Sequence, residues 1–213
     1  MKKLVCPRPR NAVNRLNPAR QVSLLAALAL PLFLSAGANA AVLNYQAFLD
    51  GPSESPPNAS PGTGYVTVDY DNVLHTLHLV GSFTGLTGVT TLSHIHAATT
   101  LPLSGTAGVA TTAPFFAGFP TGVTSGSFNS TLDLTQSSSY NGSYVTANGG
   151  TTATAEVALT SAIATGRAYF NIHTSTFGGG EIRGFLVPIP EPSALALAGC
   201  AGAALLAWRR KNS

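Results

Sequence analysis

Between residues 41 and 187 apolar positions alternate with polar ones in short runs bounded by Gly, Pro, Asn and Asp, the pattern of half-buried strands joined by turns. Ala41 to Leu49 sets Val42, Asn44, Gln46 and Phe48 against Leu43, Tyr45, Ala47 and Leu49. Pro52 to Pro61 interrupts the alternation with a polar, proline-rich loop, and Asn58 and Gly62 favour turns there. Gly64 to Tyr70 alternates again, and Asp71-Asn72 joins it to Val73 to Phe83 as a hairpin. Thr91 to His96, Ser125 to Thr135, Arg167 to His173 and Gly180 to Val187 read as further strands, the last two turned back on each other at Gly178-Gly179-Gly180. Thr152 to Ala164 departs from this rule: Ala155, Val157, Ala158, Leu159, Ala162 and Ile163 recur at spacings near three and four, which predicts one short helix. The whole predicts an all-β fold, an antiparallel two-sheet β-sandwich with one short helix, and leaves Thr99 to Thr124 without a firm element.

The two ends are apolar without alternation. Lys2, Lys3, Arg8, Arg10, Arg15 and Arg20 precede an apolar run from Val22 to Leu34, and the small residues Ala38 and Ala40 place a signal-peptidase cut before Ala41. No Cys stands directly after that run, so a lipoprotein anchor is not supported. At the other end Val187-Pro188-Ile189-Pro190-Glu191-Pro192 leads into an apolar stretch from Ser193 to Trp208 and then Arg209-Arg210-Lys211. As a transmembrane helix, 193–208 would span roughly 24 Å against a hydrocarbon core of about 30 Å, which suits a temporary anchor. Basic residues flank both apolar segments on the sides away from the body, so retention of positive charge inside predicts a hairpin insertion that delivers residues 41 to about 190 outside. The expected organisation is a signal peptide over 1–40, a β domain over 41–187 and a tail over 188–213, with helical segments at both termini.

The tail resembles the PEP-CTERM sorting signal of certain bacteria, with Pro190, Glu191 and Pro192 as its triplet. The resemblance implies transient membrane anchoring and removal of the tail near the triplet by exosortase, a membrane protease-transpeptidase. It implies release at the cell surface or into the extracellular matrix.

Removing both ends changes the charge. The full chain carries a formal +3, whereas the body keeps only Arg167 and Arg183 against seven carboxylates, a formal −5. Nucleic acid binding loses its electrostatic basis. Cys6 and Cys200 both lie outside the body, which must therefore be stable without disulfides.

Within the body, Gly81-Ser82-Phe83-Thr84-Gly85-Leu86, Ser93-His94-Ile95-His96, Gly166-Arg167-Ala168-Tyr169-Phe170-Asn171-Ile172-His173-Thr174 and Gly179-Gly180-Glu181-Ile182-Arg183-Gly184 resemble the CHRD domain, first named for chordin, from about residue 42 to 186. Bacterial members of that family are secreted proteins of largely undefined activity. The first two fragments are also similar to the copper-zinc superoxide dismutase sandwich, whose copper ligands include a His-x-His pair, although its zinc loop is not recognisable here.

His94 and His96 lie two apart on a predicted strand, so both rings share one face and can close on one transition-metal ion. His173, at the end of another strand, is a third candidate ligand, with His78 or Glu181 as a fourth. Copper or zinc is the cofactor such a cluster would take. The reading that asks least is that these histidines make structural hydrogen bonds, that Asn171 ties down the glycine turn, and that no cofactor is bound. Asp69 and Asp71 share a strand face but offer too few oxygens for calcium. Phe115, Phe116, Phe119, Tyr140 and Tyr144 either plug the fold or present rings to an extracellular polysaccharide. No nucleophile elbow, phosphate loop or zinc-protease helix occurs. The expected function is a non-enzymatic exported module, processed by signal peptidase and exosortase; the alternatives are a metal-binding or redox-active protein and a polysaccharide-binding domain.

Overall fold

The computed structural model describes residues 42–190. The signal segment, the cleavage residues Ala38, Ala40 and Ala41, and the tail from Glu191 onward, including Pro192, lie outside the described residues. The expected transmembrane helix is corrected: among the described residues no helix is long and apolar enough to cross a membrane, and 193–208 lies beyond them.

The strands are β1 (Val42–Asp50), β2 (Thr63–Asp71), β3 (Thr76–Thr84), β4 (Thr90–Ala97), β5 (Gly126–Asp133), β6 (Ala168–Thr174), β7 (Ile182–Phe185) and β8 (Val187–Pro188). All are hydrogen-bonded into one antiparallel path, β4-β6-β7-β1-β2-β3-β5, with β8 added beside β1. One continuous sheet thus stands where two were expected. It is curled: Phe128 of β5, at one end of the path, stacks on Phe170 of β6, near the other, with ring centroids 5.5 Å apart. Phe116, from the loop between β4 and β5, also stacks on Phe170. The apolar cost of leaving each face wet drives this curl, because the inward residues Val66, Leu77, Leu79, Ile95 and Ile172 become fully buried only when the ends approach.

The helix α2 (Thr152–Ala164) falls where the three-and-four spacing predicts it, and a reciprocal capping box between Thr151 and Thr154 fixes its start. It buries Ala155, Leu159, Ala162 and Ile163 and exposes Val157. A second helix, α1 (Gly142–Ala147), is additional to the one expected; it is too short to show a period and is started by Asn141, whose side chain accepts from the Ser143 amide. β3 begins later than its apolar run because Val73 and Leu74 belong to the turn, both amides donating to Asp71 at 2.8 Å. That is the role of Asp71 in the fold. Tyr140, Tyr144, Phe116 and Phe119 are buried, so four of the five loop aromatics plug the fold.

β6 is buried along all seven residues. By alternation Phe170 and Ile172 enter the core, while Tyr169, Asn171 and His173 face the other way, beneath the loops. Ile172→Asp should therefore destabilise the body by about 3 kcal/mol or more, whereas Val157→Lys should change it by less than about 0.5 kcal/mol. Urea unfolding of both variants checks this, and equal effects would contradict the facing described.

Candidate metal centre

On β4 the same alternation sends Ile95 into the core and places His94 and His96 on the face shared with Tyr169, Asn171 and His173. In the β4–β6 register His94 stands opposite Asn171, His96 opposite Tyr169, and Leu92 opposite His173. His173 is thus a diagonal neighbour of His94. The three imidazoles come together with one ligand nitrogen each, all within 4.8 Å of one another. Ring centroids are separated by 5.6 Å for His94 and His96, 5.2 Å for His94 and His173, and 6.0 Å for His96 and His173.

Each ring has one nitrogen committed to the backbone. His96 Nδ1 donates to the Ala107 carbonyl at 3.0 Å and His173 Nδ1 to the Gly178 carbonyl at 2.9 Å. His94 is tied to the Pro114 carbonyl. Carbonyls accept only, so these contacts place the proton of each neutral ring on the committed nitrogen and leave the other a bare lone pair. Those bare nitrogens are His94 Nδ1, His96 Nε2 and His173 Nε2, each buried and without a hydrogen-bond partner in the protein. Three acceptors in one buried cluster cannot satisfy each other. A cation can satisfy all three.

Protonation is the competing solution, and burial opposes it. Desolvation first, then the neighbouring His173 and His96 rings, push His94 down to about 4. Burial likewise lowers His96 to about 4, against the Ala107 carbonyl, with His173 and Arg183 adding to the depression. His173 is lowered by burial, and its Gly178 bond opposes the shift. Burial therefore favours the neutral form of all three rings. The unfolded chain protonates near 6.5, so this contribution to stability is present above that pH and is lost as pH falls from 6.5 towards 4.

A second layer surrounds the rings. Tyr169 lies flat on His96, with centroids 4.8 Å apart and planes 2° apart, and the Arg183 guanidinium covers Tyr169 at 4.7 Å. Arg183 also donates to the carbonyls of Ser53 and Gly105 and lies 3.8 Å from the Glu54 carboxylate. Asn171 Nδ2 donates to Glu54 Oε1 at 3.0 Å. Burial raises Glu54 to about 7, outweighing the Arg183 charge, the Ser55 amide and Asn171, which lower it. Its sign is opposite to that of the histidines: Glu54 takes up its proton first in the folded state, favouring the fold as pH drops from about 7 towards 4.5.

The other suggested ligands are placed elsewhere. His78 is half-buried on β3, bonded to Asn129. Glu181 is fully buried and taken by four donors: Ser60 and Thr174 hydroxyls at 2.6 Å each, and the Thr87 and Gly88 amides. Burial would raise its pKa, but these bonds together hold it below the ordinary value. Asn171 is a buried mid-strand residue, not a strand-end tie to the glycine turn. Tyr169 and Glu54 also belong to the second layer, and no ligand motif in the sequence marks either. The period of two through Tyr169, Asn171 and His173 carried the signal for the first, and Glu54, the single charge in a proline-rich loop, carried one for the second.

A family model for the CHRD domain matches residues 45–186, and one described as the PEP-CTERM protein-sorting motif matches residues 188–211. No curated protein and no solved structure matches the chain. The first match takes in all three histidines, their carbonyl partners and the Glu54–Arg183 pair, and spans about two thirds of the sequence. The chain belongs to the CHRD domain family and carries a PEP-CTERM protein-sorting motif behind that domain.

Proposed function

We propose that this is an exported surface module whose body holds one transition-metal ion, zinc or copper, on His94, His96 and His173. The observation that carries the reading is the convergence of three buried, partnerless lone pairs on rings already oriented by carbonyls. Neutral imidazoles without thiolate suit either metal. The cluster lies under three loops, an arrangement for holding an ion and not for turning over a substrate.

Export and sorting complete the reading. Residues 1–40 act as the signal peptide, cut between Ala40 and Ala41; 41–187 form the body; 188–213 are handled by an exosortase-type enzyme near Pro190, Glu191 and Pro192 during a transient attachment to the membrane. The paths of the two ends support this. β1 starts at Val42, and the Ile189 amide donates to the Asn44 carbonyl just before Pro190, so both ends leave the body at the same end of β1. The destination is the cell surface or extracellular matrix. A polysaccharide partner belongs to the same reading, and Phe48, 70% exposed and tilted against Tyr65, and Phe115 are the rings still open to a sugar. The stacking of Phe128 on Phe170 supports viewing the curled sheet as two facing halves, in the manner of a sandwich. The likeness to copper-zinc superoxide dismutase rests on the histidine pair alone.

Mass analysis of the exported product should find an N-terminus at or near Ala41 and loss of Trp208. Retention of both signals would defeat the sorting reading. Zinc or copper should bind one ion per chain and raise the melting temperature, and His94→Asn with His96→Asn should abolish both effects; an unchanged melting temperature in the native sequence would defeat the metal reading. Because burial holds His94 and His96 neutral down to about 4 and lowers His173 as well, affinity should fall far less between pH 7 and 5.5 than for three unperturbed imidazoles, which would lose several-hundred-fold, roughly. Calorimetric titration at the two pH values separates these outcomes.

A further inference from the structure

Three nitrogens leave a four-coordinate ion one donor short. Among the described residues six buried side-chain nitrogen or oxygen atoms lack a hydrogen-bond partner: the three ring nitrogens, Ser93 Oγ, Ser130 Oγ and Asn171 Oδ1. Alternation turns Ser93 to the opposite face of β4 from the rings, and Ser130 lies on β5 between Phe128 and Leu132, on the inward face that they share. Only Asn171 Oδ1 shares the face of the cluster.

We propose that Asn171 Oδ1 is the fourth donor of the centre, a deepening that rests on the metal reading above. Asn171 stands directly opposite His94 in the β4–β6 register, where facing Cβ atoms are about 4.5–5.5 Å apart. Height above the sheet agrees with this position. His94 offers Nδ1, the ring nitrogen nearer its own backbone, so an ion bound there sits low, within reach of a short side chain across the strand pair.

Orientation follows from the partner of the amide. In its ionised form, which the Arg183 charge favours, Glu54 accepts only, so the contact of Asn171 Nδ2 with Glu54 Oε1 turns the amide oxygen away from Glu54. Glu54 is itself fixed by Arg183. Gly180 leaves room for the pair: with φ of 131°, a Cβ there would come within 2.6 Å of both Asn171 Nδ2 and Glu54 Oε1. A carboxylate drawing on the N–H of the amide also makes its oxygen a better donor, as a carboxylate behind a metal-bound histidine does for its ring. In this way Glu54 offsets the charge of the ion without touching it.

The test uses cobalt(II) as probe on the purified full chain, with Cys6 and Cys200 alkylated so that neither thiol competes. The wild type should give visible bands of a four-coordinate ion. Asn171→Leu, of similar size and without oxygen, should weaken cobalt affinity by about tenfold or more and change those bands. Asn171→Asp puts a carboxylate oxygen at the same place and should shift the bands while keeping or tightening binding. If the Leu variant does not fold, the Asp variant decides, because a carboxylate against the ion must move its spectrum. Folded variants with wild-type affinity and wild-type bands overturn the role of Asn171 alone. A wild type that binds no cobalt overturns the metal reading itself, and the two failures are thereby distinct.

Discussion

Everything at the centre depends on the capture of one nitrogen of each histidine by a backbone carbonyl. A neutral imidazole presents one donor and one acceptor, and burying either without a partner is costly. The carbonyls of Ala107, Gly178 and Pro114 take the donors. What remains is three acceptors with nowhere to turn, since rotating any ring to relieve its lone pair would break the bond that holds the other nitrogen. Protonating one ring would place a charge in a buried site beside two other rings, which is why the pKa values of His94 and His96 fall to about 4. A metal ion on the three free nitrogens would resolve the conflict.

The loops that bring those carbonyls are themselves held by buried charges. Arg183 reaches the loop after β1 through Ser53 and the long β4–β5 loop through Gly105, and its face rests on Tyr169, which in turn stacks on His96. Glu181 does the same on the core side, gathering Ser60, Thr87, Gly88 and Thr174 from separate parts of the chain. A buried ion pair contributes little net stability once desolvation is counted, but removing one member leaves the other uncompensated. Glu54, Arg183 and Glu181 thus act mainly by fixing loop positions, and through them the ring tautomers.

Much of this was legible in the chain. The period of two marked most of the strands, the spacing of three and four gave α2 at its observed residues, and His94-x-His96 announced a shared face. The sheet's continuity was not legible, because alternation reports that a strand has two different faces and says nothing of which strand lies beside it. Burial of β6 on both sides was hidden for a related reason: Tyr169, Asn171 and His173 look like a solvent face until the loops are known to cover them. The covering loop, 98–125, has no regular period, and its contribution is made through main-chain carbonyls, which no side-chain pattern records. His173 joins the cluster across 79 positions of sequence, a contact that only the pairing of β4 with β6 creates.

That long separation would give metal binding a structural consequence. With no cysteine between residues 41 and 187, the body has no covalent cross-link open to it outside the cell. Metal ligands at positions 94 and 173 would close a loop about half the length of the body, and closing a long loop restricts the unfolded chain more than the folded one. The rings sit on strands whose other face is the aromatic core around Phe170, so little freedom is left to lose when an ion binds. An ion on His94, His96 and His173 would then fasten β4 to β6 as a disulfide would, and it would hold down the loops whose carbonyls orient the ligands, so that metal occupancy and the integrity of the covered face rise and fall together.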